Sequence, residues 1–282
     1  MVWKMTMERK TTMKQSVFAL MLLAFAYAHG AQESAGSPSA VGKGPYPGFA
    51  PGYLSPGEQL DSKALLPPPP AAGSPAQAAD EEAKQAAAAL RGTPRWQRAG
   101  KDAELMFPKA ADTFSCALGL PIDEATSPNL TMLLRRSLVD AGFGSREAKH
   151  LHQRARPFMA KGEPTCTPDH ESYLRKDGSY PSGHAAIGWA WGLILAELAP
   201  ERANALVQRG YEFGESRRIC NVHWASDVAA GRLFGSAVVA RLHANTGFVA
   251  QLAEAKREVA AARAAGLQPK DDCAAEAKAF NR

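Results

Sequence analysis

Three short stretches of the sequence combine cationic, hydroxyl and imidazole side chains in a way that suits a bound phosphate group. They are KHLHQRARP (149–157), PSGH (181–184) and SRRICNVHWASD (216–227). In the first, Lys149 and Arg156 are seven residues apart, so two turns of a helix would place both cations along one face. Arginine offers a planar fork to two phosphate oxygens, and lysine offers a mobile point charge. Taken alone, this stretch is also compatible with a solvated basic face on a surface helix.

The second stretch places small residues and a histidine at the predicted start of a helix. Ser182 and Gly183 can present a hydroxyl and backbone N–H groups at the helix N-terminus, where an anion is stabilised. Glycine also lets the backbone approach a ligand closely. His184 then lies in the first turn, beside whatever the terminus binds. The alternative is a capped helix with an ordinary first-turn histidine.

The third stretch contains a histidine and a carboxylate one helical turn apart. His223 and Asp227 are separated by four residues, so the carboxylate can hold the imidazole Nδ1–H and leave Nε2 free to act as a nucleophile. Arg217, six residues before the histidine, can bring a second guanidinium to the same anion. A structural His–Asp pair explains this stretch equally well on its own. The three stretches together favour a phosphate site, because otherwise three unrelated explanations must coincide.

Helices are the elements predicted to position these stretches, and strand signals are scarce. Ser127 is a predicted N-cap with Pro128 at the first helical position. The stretch 182–198 is apolar all round, which predicts a buried core helix. The fold class predicted is all-α, a single-domain helical bundle with its core near 182–242. Helical patterns cover 80–90, 127–142, 145–157, 182–198, 200–218, 226–244 and 248–265.

Composition divides the chain into four predicted segments. Residues 1–30 resemble a signal peptide, with a basic start and a short apolar core at 16–28. Residues 31–79 form a Pro/Gly/Ala-rich extended segment, part of which we expect to wrap the domain through side chains such as Tyr53 and Leu54. Residues 80–265 form the all-α domain, and 266–282 a C-terminal tail.

Charge and cysteine content narrow the class of protein further. The formal charge is +5, but residues 1–30 contribute four basic residues and one acidic residue, so the remainder is nearly neutral. No basic run is interleaved with aromatic residues, so nucleic acid is not an expected partner. An exported chain meets an oxidising compartment, in which the four cysteines can form two disulfides in any of three pairings.

The three stretches together resemble a known signature. The pattern K-x6-RP, PSGH and SR-x5-H-x3-D is typical of the type 2 phosphatidic acid phosphatase (PAP2) superfamily, which includes the vanadium haloperoxidases. The longer phrase GSYPSGH, the LLPPPP near residue 65 and the predicted export resemble the bacterial class A non-specific acid phosphatases. This resemblance extends from about Tyr53 to the last helix. Those enzymes commonly have threonine where this chain has Ala185, which removes one hydroxyl expected near the site.

The resemblance implies a role for each candidate residue. His223 would attack phosphorus and form a phosphohistidine, Asp227 would orient it, and His184 would protonate the leaving alcohol. The phosphate oxygens would be held by five residues, namely Lys149, Arg156, Arg217, Ser182 and Gly183. No metal or other cofactor is expected, and an acidic pH optimum follows if His184 must be protonated.

The resemblance also implies a cellular location and a substrate class, and it leaves alternative functions open. We expect a periplasmic enzyme that hydrolyses small phosphomonoesters, including nucleotides, with possible phosphotransferase activity, no membrane insertion after signal removal, and self-association into a homo-oligomer. A vanadate-dependent haloperoxidase is the main alternative; a membrane lipid phosphatase and a non-catalytic binding protein are less favoured. Of the three disulfide pairings, we predict Cys116–Cys166 with Cys220–Cys273.

Overall fold

Helices account for the regular secondary structure of the described residues, which are 48–160 and 162–280 of a computed structural model. No strand occurs among them, and the all-α prediction is confirmed. The predicted signal peptide lies outside the described residues. The α-helices are α1 (Ser62–Leu65), α2 (Pro75–Ala88), α3 (Pro94–Lys101), α4 (Lys109–Asp112), α5 (Ser115–Leu118), α6 (Pro128–Leu138), α7 (Arg146–His152), α8 (Glu171–Leu174), α9 (Gly183–Leu198), α10 (Ala203–Ile219), α11 (Ala225–Leu242), α12 (Thr246–Ala264) and α13 (Cys273–Ala279).

Helix α9 is the centre of the bundle. It packs most extensively against α10 and α11, while α12 packs against α6. Its apolar residues are buried on several sides, as the uniformly apolar sequence predicts. Trp191 is fully buried, and its indole N–H donates to the Leu134 carbonyl at 3.0 Å. The ring of Trp191 also contacts Phe114 and Phe213 edge-on or tilted, so the helix that carries PSGH is fixed in a rigid core.

Close helix approach depends on glycines at the crossing points. A Cβ added at Gly192 would lie 2.9 Å from the Leu206 carbonyl oxygen of α10. A Cβ at Gly231 of α11 would lie 2.3 Å from the Ser182 carbonyl oxygen. Larger residues at these positions would push α10 or α11 away from α9. Helices α9, α10 and α11, which carry four of the eight candidate residues, are therefore held at short distances from one another.

Part of the Pro-rich segment packs on the domain, as expected. Tyr53 and Leu54 are buried in the main core. Their backbone N–H groups donate to the Asp140 carboxylate at 2.8 and 3.1 Å. That carboxylate belongs to a π-helical turn, Val139–Phe143, which continues α6. The segment is not wholly extended, since it contains α1, and α2 begins at Pro75 rather than at residue 80.

The predicted disulfide pairing is wrong. The bonds are Cys116–Cys273 and Cys166–Cys220. The predicted tail contains α13, which packs against α3 and brings Cys273 to Cys116 of α5. The second bond closes the chain across 54 residues and ends three residues before His223. Sequence spacing could not select this pairing, because it depends on where the C-terminal segment folds back.

Within residues 48–160 and 162–280, no helix has the length and apolar character that a bilayer span requires. The apolar helix α9 is instead surrounded by other helices of the bundle.

Candidate active site

A cavity of about 240 Å³ brings the three motif stretches together. Its lining combines polar and charged residues with apolar ones, among them Leu105, Leu138, Phe143 and Ile187. Ser182 and Asp227 are fully buried and do not line the cavity. The other six residues predicted from sequence line the cavity: Lys149, Arg156, Gly183, His184, Arg217 and His223.

His223 lies immediately before α11, with one ring nitrogen near a carboxylate. Its Nδ1 is 3.4 Å from Oδ2 of Asp227, which also accepts the Trp224 backbone N–H at 2.8 Å. Burial lowers the pKa of His223 well below its usual range, and the cations of Arg156 and Lys149 act in the same direction. Both influences favour the neutral imidazole. Its Nε2 carries a lone pair when Nδ1 holds the proton.

Arg156 contacts the second ring nitrogen of His223 directly. Its Nη1 lies 3.1 Å from Nε2 of His223 and 3.0 Å from the Val222 carbonyl. The other guanidinium N–H groups donate to the Leu174, Asp177 and Gly178 carbonyls and to the Asp177 carboxylate. Every N–H group of Arg156 thus has a protein acceptor, and a phosphate oxygen would have to replace His223 or Asp177 as one of them.

Lys149 ties the first motif to the loop that carries the second. Its Nζ donates to the Gly178 carbonyl at 2.8 Å and to the Pro181 carbonyl at 3.1 Å. The Asp177 carboxylate lies 3.7 Å away. Burial and the neighbouring Arg156 lower the pKa of Lys149 to about 8. Lys149 is consequently both a cation beside the cavity and a structural support for PSGH.

Arg217 differs from the other two cations because part of it has no protein partner. Its side chain is 1% exposed, yet Nε and Nη1 have no hydrogen-bond acceptor among the described residues. A buried guanidinium without an acceptor is strongly destabilising. Burial and the nearby Arg156 lower the pKa of Arg217 to about 10. An anion in the cavity would supply the acceptors that this side chain lacks.

The PSGH stretch begins α9 as predicted. Ser182 is the N-cap, and its hydroxyl accepts the Ala185 backbone N–H at 3.3 Å. Gly183 packs tightly, since a Cβ there would lie 3.2 Å from the Gly142 carbonyl oxygen. His184 donates through Nε2 to the Ala103 carbonyl at 3.1 Å. Its Nδ1 is therefore the nitrogen that gains a proton when the ring becomes charged.

Comparison with known proteins shows which family the chain belongs to. The PAP2 superfamily profile matches residues 128–248. The chain is 46% identical to a non-specific acid phosphatase of Providencia stuartii over 209 residues, which is 74% of this chain and 84% of that protein. It is 42% identical to a non-specific acid phosphatase of Salmonella typhimurium, across 73% of this chain and 83% of that protein. The chain belongs to the PAP2 superfamily, in the non-specific acid phosphatase family.

A further acid phosphatase, from Zymomonas mobilis, is 40% identical over 64% of this chain and 69% of that protein. The names of these relatives favour the acid phosphatase interpretation over the vanadate-dependent haloperoxidase. The matched superfamily region contains all three motif stretches. The resemblance predicted from those stretches is therefore confirmed.

Two local predictions about the motifs of this acid phosphatase family member are wrong. Lys149 and Arg156 do not share a helical face, because α7 ends at His152 and Gln153 adopts a left-handed conformation with φ 43°. The two cations converge through the loop instead. His223 and Asp227 do not lie within one helix either, since α11 begins at Ala225 and the histidine precedes its N-cap.

Ala185, where relatives were expected to have threonine, does not line the cavity. It is fully buried, and its Cβ lies 3.0 and 3.3 Å from the positions that a Cβ would occupy at Gly231 and Gly214. A hydroxyl at this position would face α10 and α11. The expectation that Ala185 removes a hydroxyl from the site therefore finds no support in this geometry.

Sequence reasoning missed three charged residues around the site. Asp177, just before GSYPSGH, contacts both Arg156 and Lys149. Arg154, inside the first motif stretch, forms an ion pair with Asp227 at 2.7 Å. Asp80 of α2 pairs with Arg154 at 2.7 Å. Arg154 could have been noticed as a third cation in KHLHQRARP, but its carboxylate partners lie 74 and 73 residues away along the chain.

Proposed function

We propose that this protein is an exported acid phosphatase that hydrolyses phosphomonoesters through a phosphohistidine at His223, without a metal ion. The observation that carries the proposal is the pairing of two features in one cavity. Arg217 is a buried guanidinium with unpartnered N–H groups, and His223 is a neutral imidazole whose Nδ1 faces a carboxylate. The first calls for an anion and the second supplies a nucleophile beside it.

In the first step, the Nε2 lone pair of His223 attacks phosphorus and the bond from phosphorus to the ester oxygen breaks. The departing oxygen takes a proton from His184 and leaves as an alcohol. Asp227 stabilises the positive charge that develops on the His223 ring, because its Oδ2 lies 3.4 Å from Nδ1. When the substrate enters, the Arg156 N–H group that donates to Nε2 donates to a phosphate oxygen instead.

In the second step, neutral His184 takes a proton from water as the oxygen attacks phosphorus. The bond from phosphorus to Nε2 breaks, its electron pair returns to His223, and inorganic phosphate leaves. His184 is protonated again and ready for another substrate. An alcohol in place of water would make the same step a phosphotransfer.

Protonation of His184 is linked to the substrate. Burial and the Arg217 guanidinium hold the pKa of His184 well below its usual range in the empty site. A bound phosphate adds negative charge and raises that pKa. The acid therefore becomes charged chiefly in the substrate complex, and we expect kcat to decrease as the pH rises above neutrality.

The cations explain how the reaction can proceed without a metal ion. Phosphoryl transfer requires mainly positioning and neutralisation of charge on the non-bridging oxygens. Lys149, Arg156 and Arg217 all line the cavity and provide that positive charge. Two disulfides, Cys116–Cys273 and Cys166–Cys220, accord with an oxidising compartment such as the periplasm.

Hydrolysis of p-nitrophenyl phosphate at pH 5 to 6 tests the activity and its independence of metal. The mature protein is assayed with EDTA, with and without vanadate. We expect turnover to survive EDTA and to fall with vanadate, which occupies the same anion site. Loss of turnover in EDTA that added metal restores would contradict the metal-free mechanism.

Two variants test the roles of the histidines. We expect His223→Ala to abolish turnover, because no nucleophile remains. We expect His184→Ala to accumulate phosphoenzyme from substrates with good leaving groups, since these need no acid but the intermediate still needs a base. Acid quench followed by detection of phosphohistidine measures both. Near-normal activity of His223→Ala would remove the nucleophile assignment.

A further inference from the structure

Arg154 lies between Lys149 and Arg156 in the first motif stretch but does not belong to the K-x6-RP pattern. It is absent from the cavity wall, and its side chain is only 10% exposed. Its Nη1 donates to Oδ1 of Asp227 at 2.7 Å. The other oxygen of that carboxylate is the one that faces His223. Arg154 therefore contacts the group that orients the proposed nucleophile and cannot contact the substrate.

Several protein groups fix the position of the Arg154 guanidinium. It donates to Ser226 Oγ at 2.7 Å, Gln77 Oε1 at 2.6 Å and Asp80 Oδ2 at 2.7 Å. It also lies over the Trp224 ring, 5.2 Å from the centroid. With Asp227, these contacts surround the guanidinium on both edges and one face. Its orientation is thus determined by the fold.

Asp80 joins this arrangement to the start of α11. It is 3% exposed and accepts the Ser226 backbone N–H at 2.9 Å and the Ser226 hydroxyl at 2.5 Å. Helix α2, which begins outside the superfamily match at residues 128–248, therefore supplies the outer carboxylate of a linear series. The series runs from Asp80 through Arg154 and Asp227 to His223.

The charge of Arg154 matters because Asp227 is fully buried. Burial raises the pKa of the Asp227 carboxyl, and the Arg154 guanidinium is the main influence that opposes this shift. Other charged and titratable groups act on this carboxyl or on Arg154. They are His223, Lys149, Arg156, Tyr180 and Asp80.

We propose that Arg154, held by Asp80, is a positioning residue that keeps the Asp227 carboxylate ionised and oriented toward His223. The inference rests on the proposed histidine mechanism. Without Arg154, Asp227 takes up a proton at acidic pH. A protonated carboxyl no longer stabilises the positive ring that forms when His223 attacks phosphorus.

The test compares kcat and KM across pH 4 to 8 for Arg154→Met, Arg154→Gln and Arg154→Lys. For Arg154→Met and Arg154→Gln, we expect kcat to fall about 10- to 100-fold, as loss of outer-shell partners commonly does in metal sites. The loss should grow as the pH decreases, so that the acid limb of the profile moves to higher pH. KM should change little, because the phosphate-binding residues remain. Arg154→Lys keeps a charge and should return the acid limb toward its original position.

Arg218→Met is the matched control. Arg218 also joins α2 to the rest of the bundle, donating to the Ala83 carbonyl at 2.9 Å and to Glu215 at 2.8 Å. Its hydrogen bonds and its ion pair are with Ala83 and Glu215 and do not involve Asp227. We expect this variant to keep the pH profile of the wild-type protein, even if its Tm falls.

The possible results separate this inference from the proposed function. An inactive wild-type protein, or an active His223→Ala, would overturn the mechanism on which the inference rests. An active wild-type protein with Arg154→Gln matching Arg218→Met in kcat and pH profile would overturn the role of Arg154 alone. If Arg154→Met does not fold, the pair Arg154→Gln and Arg154→Lys decides: a shared, unshifted acid limb contradicts the proposal.

Discussion

Helix α10 contains two buried arginines whose surroundings differ completely. Arg209 is fully buried and paired with Asp102 at 2.5 Å, and it also donates to the Thr113 carbonyl at 2.8 Å. Arg217, about two turns later, is equally buried, but its Nε and Nη1 have no acceptor among the described residues. The first arginine completes the fold. Arg217 leaves positive charge and N–H groups without acceptors beside a cavity, which is what a binding site for an anion requires.

The surroundings of Asp102 explain why its cluster is structural. It accepts the Ser216 hydroxyl at 2.5 Å and lies 3.2 Å from Arg98 Nε as well as contacting Arg209. Burial opposes ionisation of this carboxyl, but Arg209 and Arg98 nevertheless hold its pKa below the usual range. The charge of Asp102 is thus balanced by neighbouring arginines without a ligand. The carboxylate nearest the cavity, Asp177, is by contrast 38% exposed and contacts Arg156 and Lys149.

Of the two buried arginines of α10, Arg217 should have the larger effect on activity when it is removed. For Arg217→Met we expect kcat/KM to fall about 1,000-fold, the size of loss seen when one donor to a developing charge is removed. The Tm should stay the same or rise, because the substitution removes an unpaired buried charge. Steady-state kinetics and thermal unfolding measure the two quantities. A large fall in Tm would mean that Arg217 supports the fold, as Arg209 does.

Removal of Arg209 should have the opposite pattern. Arg209→Met leaves Asp102 buried with a weaker set of partners, so we expect the free energy of unfolding to fall by about 3 to 5 kcal/mol. The folded fraction should retain a near-normal kcat. Urea unfolding measures the loss, and the double variant Arg209→Met/Asp102→Leu serves as control. That variant should lose less, because it removes both buried charges; an equal loss would contradict the pairing argument.

Inorganic phosphate should sharpen the contrast by stabilising only a protein with an intact anion site. At a concentration of 100 Kd, a ligand that binds the folded state alone adds about 2.7 kcal/mol to the free energy of unfolding. We expect the Tm of wild-type protein and of Arg218→Met to rise with phosphate. The Tm of Arg217→Met should rise much less. Equal stabilisation of all three proteins would place the bound phosphate elsewhere.

The elements that depend on local pattern could be predicted from the sequence, whereas long-range pairings could not. The apolar stretch around Trp191 and the Ser182 cap predicted α9 correctly, because core packing and capping leave a periodic signal. Arg156 was wrongly predicted to continue the helix that contains Lys149. No proline or glycine in the sequence marks the end of α7 at His152. The disulfides and the Arg154 contacts depend on tertiary folding, which places α13 and α2 against distant parts of the chain.

The pH dependence of stability gives the smallest effect and tests the site histidines. The folded pKa of His184 and of His223 is depressed, so unfolded histidine, with a pKa near 6.5, takes up protons first. Each therefore makes the free energy of unfolding decrease as the pH falls from about 7 toward the folded pKa. Asp140 acts with the opposite sign, because burial raises its pKa to about 6 and the folded state gains its proton first.

Comparing the pH dependence of stability of a His184 variant with that of the wild-type protein separates the contribution of His184 from that of Asp140. Between pH 7 and 5.5, we expect His184→Asn to lose about 1 kcal/mol less stability than the wild-type protein, the contribution of one proton taken up only on unfolding. Saturating phosphate should reduce this difference, because the anion raises the pKa of the histidine in the folded state. Urea unfolding at the two pH values, with and without phosphate, measures it. Identical pH dependence of the two proteins would mean that His184 titrates normally in the empty site, and that the substrate is not needed to charge the acid.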